Sequence, residues 1–421
     1  MTATSARSRL GRWLVPAAAV ALVAGVSLAG SRLASADGNL APRTAAELLA
    51  DLQRSRLDQL SGTVVQTADL GLPSIPGMSG GSGMGGAGAA ELSSILSGSH
   101  TWKVWYGGQD RQRLALIGTL GESDIIHNGK DVWVWSSKAQ TATHIAMDPA
   151  EMAAAKTAAA ASGAARTAGP LMTARPTGAG LPATPEEAAQ AALAAIDPTT
   201  RAEVGPAVVV AGRTAYELVL TPKDSATLVA QVRLAIDGER RLPLRVQVFS
   251  TKQATPALEV GFTAIDFSAP EARQFEFTPP PGTTVTEGMP AQLRDRASAK
   301  PPAGAPAKVK DATRTVGQGW SRVMVVDLPQ GLGDSTPTTS GSGAPTSGSG
   351  AQTSGSGAAG AAAGQLQAML AMLPKVSGAW GSGRVLEGTL FSMVLTDDGR
   401  AAVGAVAPEA LYAALAAPAA G

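Results

Sequence analysis

The sequence predicts an α+β chain: an antiparallel sheet with one covered face, then a smaller C-terminal α+β unit. Three observations predict it. Between Leu228 and Phe267 apolar and polar side chains alternate: Val232, Leu234 and Ile236 against Gln231, Arg233 and Ala235; Leu244, Val246 and Val248 against Arg245 and Gln247; Leu258, Val260 and Phe262 against Glu259, Gly261 and Thr263. A period of two with one apolar side marks an antiparallel strand half buried on a core. Turn dipeptides, Asn128-Gly129 and Asp237-Gly238, separate such segments. Helix starts stand at Thr44-Ala45-Ala46-Glu47, a capping box, and at Thr184-Pro185-Glu186-Glu187, with Pro at the first helical position.

Taken in order, the capping box opens a helix to about Leu60, with Leu48, Leu49, Leu52, Leu57 and Leu60 as its apolar stripe. A strand follows over 63–70, then a Gly/Ser/Met-rich insert, 71–99, whose composition cannot build a core and which is expected to be a mobile loop. Strands are predicted over 101–106, 111–118, 123–127, 132–135 and 141–145. The Ala/Gly/Thr-rich stretch 147–182 is compatible with helix or disorder, and a helix runs from the Thr184 cap to about Ile196. Strands resume over 204–210 and 215–221 and continue through the alternating region. A Pro/Ala/Lys-rich linker, 288–310, leads to the small unit, 311–421. There a strand is predicted over 321–327, a Ser/Gly/Thr/Ala coil over 334–364, a helix over 365–373, and a hairpin of 388–395 with 401–406.

Residues 1–36 read as a targeting segment: Arg7, Arg9 and Arg12 precede the apolar run 13–30, and Ala34-Ser35-Ala36 offers small residues for cleavage. Pro16 within the run and Arg32 beyond it fit an uncleaved anchor as well as a cleaved leader. Either way the chain is expected outside the cytoplasmic membrane. Removing the segment takes four arginines and no acids from a net charge of +1, leaving −3. That balance argues against a nucleic-acid binder, which needs a basic surface. No cysteine is present, which excludes thiol catalysis, disulfides and thiolate metal sites.

Catalytic motifs are equally sparse. Gly77-Met78-Ser79-Gly80-Gly81 has the spacing of a nucleophile elbow but no preceding strand to strain the turn. His100, His127 and His144 are separated by 27 and 17 residues, match no metal motif, and are expected at surface or turn positions at strand ends. Asp397-Asp398-Gly399 reads as a hairpin turn, and Glu186-Glu187 as a helix start. No metal or cofactor is expected, and an enzyme acting on the cell wall would have to use residues that form no such constellation. The aromatic residues are concentrated instead: Trp102 and Tyr106, with Val104, alternate on one strand, and Trp133 and Trp135 on another. They read either as a sheet face buried under helices or as the wall of an apolar cavity wide enough for an acyl chain.

The segments Tyr216-Glu217-Leu218-Val219-Leu220-Thr221-Pro222, Val232-Arg233-Leu234-Ala235-Ile236-Asp237, Leu242-Pro243-Leu244-Arg245-Val246 and 275–285 (FEFTPPPGTTV) resemble the LolA and MucB/RseB superfamily over residues 42–286. Gly319-Trp320-Ser321-Arg322-Val323 and 390–400 (LFSMVLTDDGR) are similar to the second domain of the MucB/RseB branch. The resemblance implies a curved, half-open antiparallel barrel over 37–287 with helices in its concave side. It also implies a non-enzymatic exported carrier or chaperone for a lipid or a lipoprotein acyl chain, or a sensor that acts on a sigma factor through an anti-sigma membrane partner. The cavity lining expected on this basis is Trp102, Val104, Tyr106, Trp133, Trp135, Leu218, Leu220, Val232, Leu234, Val246, Val248, Val260 and Phe262.

Overall fold

A computed structural model describes residues 40–55, 57–71, 97–118, 121–146, 184, 185, 189, 199–288, 313–327 and 372–417. The targeting segment, the Gly77–Gly81 match, the 147–182 stretch, the linker after Gly288, the 334–364 tract and nearly all of the 365–373 helix lie outside the described residues.

Helix α1 (Ala45–Arg54) starts where expected. Thr44 accepts from the Glu47 backbone N–H at 3.3 Å while Glu47 accepts from that of Thr44 at 2.8 Å, so two orphan donors are satisfied. The helix stops six residues before Leu60, which instead begins β1 (Leu60–Asp69). β2 (Ser97–Tyr106), β3 (Arg111–Gly118), β4 (Gly121–Asn128), β5 (Asp131–Ser136) and β6 (Thr141–Ala146) form a meander. β2 starts four residues earlier than its alternation suggested, because Ser97 to Ser99 pair with Asp69 to Thr67 of β1. The strand expected over 204–210 is two: β7 (Thr200–Val204) and β8 (Val208–Val210), interrupted at Gly205-Pro206, where proline has no N–H for the ladder. β9 (Arg213–Pro222), β10 (Val229–Asp237), β11 (Pro243–Ser250) and β12 (Pro256–Asp266) follow.

These strands make a 13-stranded sheet in the order β13-β6-β5-β4-β3-β2-β1-β12-β11-β10-β9-β7, with β8 on β9. All pairings are antiparallel except that of β13 (Thr284–Glu287), which lies parallel to β6. The chain reaches β13 through a 3₁₀ turn, Ala272–Phe275. Leu114 on β3 and Val208 on β8, from opposite halves of the sheet, join one core cluster. The sheet is therefore curved, with its apolar face inside.

A second, six-stranded sheet runs β14 (Thr313–Val316), β15 (Val323–Asp327), β19 (Arg400–Gly404), β18 (Ser392–Thr396), β17 (Gly381–Glu387), β16 (Lys375–Gly378). Helix α2 (Pro408–Ala416) packs Leu411, Ala414 and Leu415 against its Val325, Val385 and Val394. The 388–391 segment, expected to open a strand, is a turn between β17 and β18. The turn at Asp397-Asp398-Gly399 is as expected, with Arg400 holding Asp398 at 2.7 Å. That ion pair and the Thr396 hydroxyl keep the Asp398 carboxyl below the usual carboxylate range.

Candidate functional site: the apolar face of the large sheet

Strand register decides which side chains share a face. Trp102 pairs with Val64 on one side and Leu116 on the other, and Val64 pairs with Phe262. The same row continues through Val260 and Val246, Leu234, and Leu218. Eleven of the thirteen candidate residues therefore face the same side: Trp102, Val104, Tyr106, Leu218, Leu220, Val232, Leu234, Val246, Val248, Val260 and Phe262. Leu48 and Leu52 of α1 and Ala189 join them in one cluster. Leu218, Leu220, Leu234 and Val260 are wholly buried, whereas Val104, Tyr106 and Val248 keep partial exposure. Towards the two sides of the face, Val134 is 43% exposed and Val204 40%.

Trp133 and Trp135 are on the other side. Leu116 pairs with Ser123, and Ser123 with Ser136, so the inward residues of β5 are Val132, Val134 and Ser136. The two tryptophans alternate with these, and pattern alone did not say which set turns inward. Outside, Phe277 sits between them, with ring centroids 5.2 Å from Trp133 and 5.8 Å from Trp135. Here the 267–288 segment lies across β3 to β6 as a strap. Phe275 is buried, and Arg113 donates to the Gln274 carbonyl at 3.4 Å. His144 stacks on Trp133, at 4.2 Å and 14°, and bonds Asp131 of β5 at 2.9 Å and Glu287 of β13 at 2.8 Å. Burial opposes the charged imidazole, but the two carboxylates outweigh it and raise its pKa. Beneath the strap Asp124 pairs with Arg113; burial, partly countered by that guanidinium, pushes the carboxyl up to about 6.

Two of the three histidines do not sit as expected. His127 is wholly buried, bonding the Gly129 carbonyl at 2.7 Å, and His144 clamps two strands and the strap. Its role depends on Glu287, 143 residues away, and only the fold reveals that proximity.

The outward face of β9 to β12 is polar. Glu217 lies 3.7 Å from Arg233 and 3.9 Å from Arg245, and Gln247 donates to Glu259 at 2.8 Å. Inside, buried polar side chains interrupt the apolar rows: Gln112 and His127 in the row of Tyr106 and Val132, and Gln66, wholly buried, which accepts from the Trp102 indole N–H at 3.2 Å.

One end of the apolar face meets the second sheet. Thr389 donates its N–H to Leu70 at 2.7 Å and its carbonyl accepts from Ser250 at 2.6 Å, while Leu390 and Phe391 pack on the large core. Trp320 does the same and donates to Thr200 at 2.8 Å. Thr227 pairs with Val406, and its hydroxyl donates to the Ala405 carbonyl at 2.8 Å. Among the described residues no helix is long and apolar enough to cross a membrane.

No family model matches the chain, and no curated protein matches it. Solved structures do. The chain is similar to Pseudomonas aeruginosa MucB in its complex with MucA, with 14% identity over 90% of this chain and 98% of that one and a TM-score of 0.37. A LolA superfamily protein from Nitrosomonas europaea is 10% identical over 56% of this chain and 99% of that one, with a TM-score of 0.21. A putative outer membrane lipoprotein-sorting protein domain from Vibrio parahaemolyticus is 11% identical over 54% and 94%, with a TM-score of 0.20. These include the two groups the sequence resembles. Scores of this size do not superpose side chains, so the functional reading rests on this chain's own geometry.

Proposed function

We propose that the protein is a non-enzymatic, exported binder of a lipid or lipoprotein acyl chain, held between the inner face of the large sheet and the helices over it. The observation that supports this most directly is the continuity of that face. Apolar residues run from β2 across the β1 and β12 pair to β9, and several in the middle of it keep partial exposure beside wholly buried neighbours. Half-covered Tyr106 and Val248 suit a site that opens for a chain. Each methylene transferred from water contributes about 0.8 kcal/mol, so a dozen suffice without a motif of polar residues.

A second reading is favoured by a separate observation. The 388–391 turn and Trp320 of the second unit pack into the same core that would receive the ligand. A chain entering there would disturb the seat of the second sheet, as expected of a sensor whose second unit docks on a membrane protein, in the resemblance an anti-sigma factor. Under both readings the division into 37–287 and 311–421 is functional: one unit binds, and the other reports or closes.

The test is native mass spectrometry of the full chain purified from its own host, with lipid extraction of the same sample. A lipid or acylated peptide released on denaturation supports the reading. A protein that is empty and takes up no fluorescent fatty acid refutes it.

A further inference from the structure

On β1 the inner face carries a buried amide with unmet hydrogen-bonding capacity, and its orientation follows from chemistry. Gln66 is 0% exposed. On its own strand its face-mates are Val64 and Ala68, and its partners across the ladder are Val260 and His100. An indole N–H can only donate, so the atom 3.2 Å from Trp102 Nε1 must be the amide oxygen. The amide nitrogen therefore points away from Trp102, and this buried Nε2 has no hydrogen-bond partner among the described residues. A donor in such a setting is costly to leave unmet. Leucine or methionine would avoid that cost but would take the acceptor from the Trp102 N–H, so the oxygen of the amide is accounted for and its nitrogen calls for an explanation.

We infer that Gln66 donates a hydrogen bond from Nε2 to the carbonyl oxygen of a bound acyl group, with Trp102 holding the amide in the donating orientation. This rests on the acyl-binding reading and adds to it a fixed point for the head of the chain. The apolar rows on either side accept methylenes of any length, while the amide accepts only an oxygen at one place. Ligands with an acyl carbonyl, whether fatty acid, ester or acylated protein, are selected over hydrocarbon of the same size. An acyl carbonyl needs no positive partner, and Gln66 supplies a neutral donor.

The experiment uses the full chain and three twelve-carbon probes, dodecane, methyl dodecanoate and dodecanoic acid, each displacing anilinonaphthalene sulfonate. The wild-type protein is expected to bind the ester about tenfold more tightly than dodecane, the worth of one buried hydrogen bond. Gln66→Leu is expected to bring the two within about twofold of each other. The acid separates a free carboxylate from an esterified carbonyl as the preferred head. An ester preference that survives in Gln66→Leu overturns the inference, since the donor is then met by internal water or the carbonyl lies elsewhere. Should Gln66→Leu not fold, the side-chain amide resonance of Gln66 in the wild-type protein decides. It must shift with methyl dodecanoate and not with dodecane, and an amide that ignores the ester overturns the assignment. Equal binding of dodecane and ester by the wild-type protein defeats this inference alone. Failure to bind any of the three defeats the acyl-binding reading as well.

Discussion

The seat of the second sheet can be tested at Gly71, where two costs can be separated. Gly71 has φ +63°, and a Cβ there would lie 2.5 Å from the Thr389 hydroxyl and 3.4 Å from its backbone nitrogen. An L-residue in the left-handed region costs about 1–2 kcal/mol. Moving Thr389 away also weakens its bond to Leu70, at 2.7 Å, and the one it accepts from Ser250, at 2.6 Å, each worth about 1 kcal/mol net. Gly71→Ala should therefore lose about 2–4 kcal/mol. Gly212, with φ +75° and open space for 4 Å around an added Cβ, isolates the backbone cost; Gly212→Ala should lose only about 1–2 kcal/mol. Adding Thr389→Ala removes the clashing oxygen and leaves its Cβ in ordinary contact at 3.7 Å, so it should restore about 1–2 kcal/mol in the Gly71→Ala background. Urea unfolding of the wild-type protein and the three variants, with hydrogen exchange at the Thr389 amide, measures all of these. Equal losses in the two alanine variants, with no recovery from Thr389→Ala, would refute the docking of the 388–391 turn on Leu70 and Gly71.

The strap over the outer face should respond to pH through His144. Its raised pKa means that its contribution is complete below the ordinary histidine value and is lost as pH rises through the folded value. Amides of Thr284 to Glu287 should accordingly exchange faster, after correction for intrinsic rates, at about pH 9 than at about pH 5, and Glu287→Gln should shrink that difference. The two aromatic sets should separate in function. Trp102→Ala should weaken acyl binding about tenfold or more, while Trp133→Ala should free the strap and leave affinity unchanged, which fluorescent fatty-acid titration and limited proteolysis distinguish. Asp237 pairs with Arg213 and accepts from the backbone N–H groups of Glu239 and Arg240 at 2.9 and 2.6 Å. Burial opposes its charged form, but these partners prevail and lower its pKa. Its contribution is then present above the ordinary aspartate value and lost as pH falls through the folded one. Asp237→Ala should cost about 3–5 kcal/mol near neutrality, and less in acid, by urea titration.

What could be read from the sequence was whatever depends on neighbours. The alternation from Leu228 to Phe267 placed β10 to β12 and their inward residues, because each strand carries its own contrast between valine or leucine and arginine or glutamine. The capping box located the start of α1 for the same reason. Failures occurred where both faces of a strand are apolar or where the partner is distant. Trp133 and Trp135 alternate with Val132 and Val134, and the outward pair is half-buried because a strap more than 130 residues later covers it. His127 and His144 acquired their settings from the meander and from β13. Gln66 lies in a polar stretch, Gln66-Thr67, that carries no sequence signal, and it matters only because its neighbours across the ladder enclose it.

The central seam explains why the inner face is continuous. β1 and β12, some 200 residues apart, meet in the middle of the sheet, joining a half made of β1 to β6 to one made of β7 to β12. Their pairing shifts by one residue between Thr63 and Val64: Thr63 is opposite Ala264 and Val64 opposite Phe262. A strict period of two would turn Ile265 and Phe267 outward if Phe262 faces in. The bulge lets Phe262, Ile265 and Phe267 all join the same core. Without it, a one-residue slip would send one end of β12 to the wrong side. Gly62 stands at this crossing, where a Cβ would lie 2.8 Å from both the Phe262 ring and the Ala264 carbonyl. The groups that make the binding face possible are thus a glycine and an irregularity that need touch no ligand. Because the seam closes only between the two ends of the unit, the face that would hold an acyl chain can form only when β12 has been added to β1.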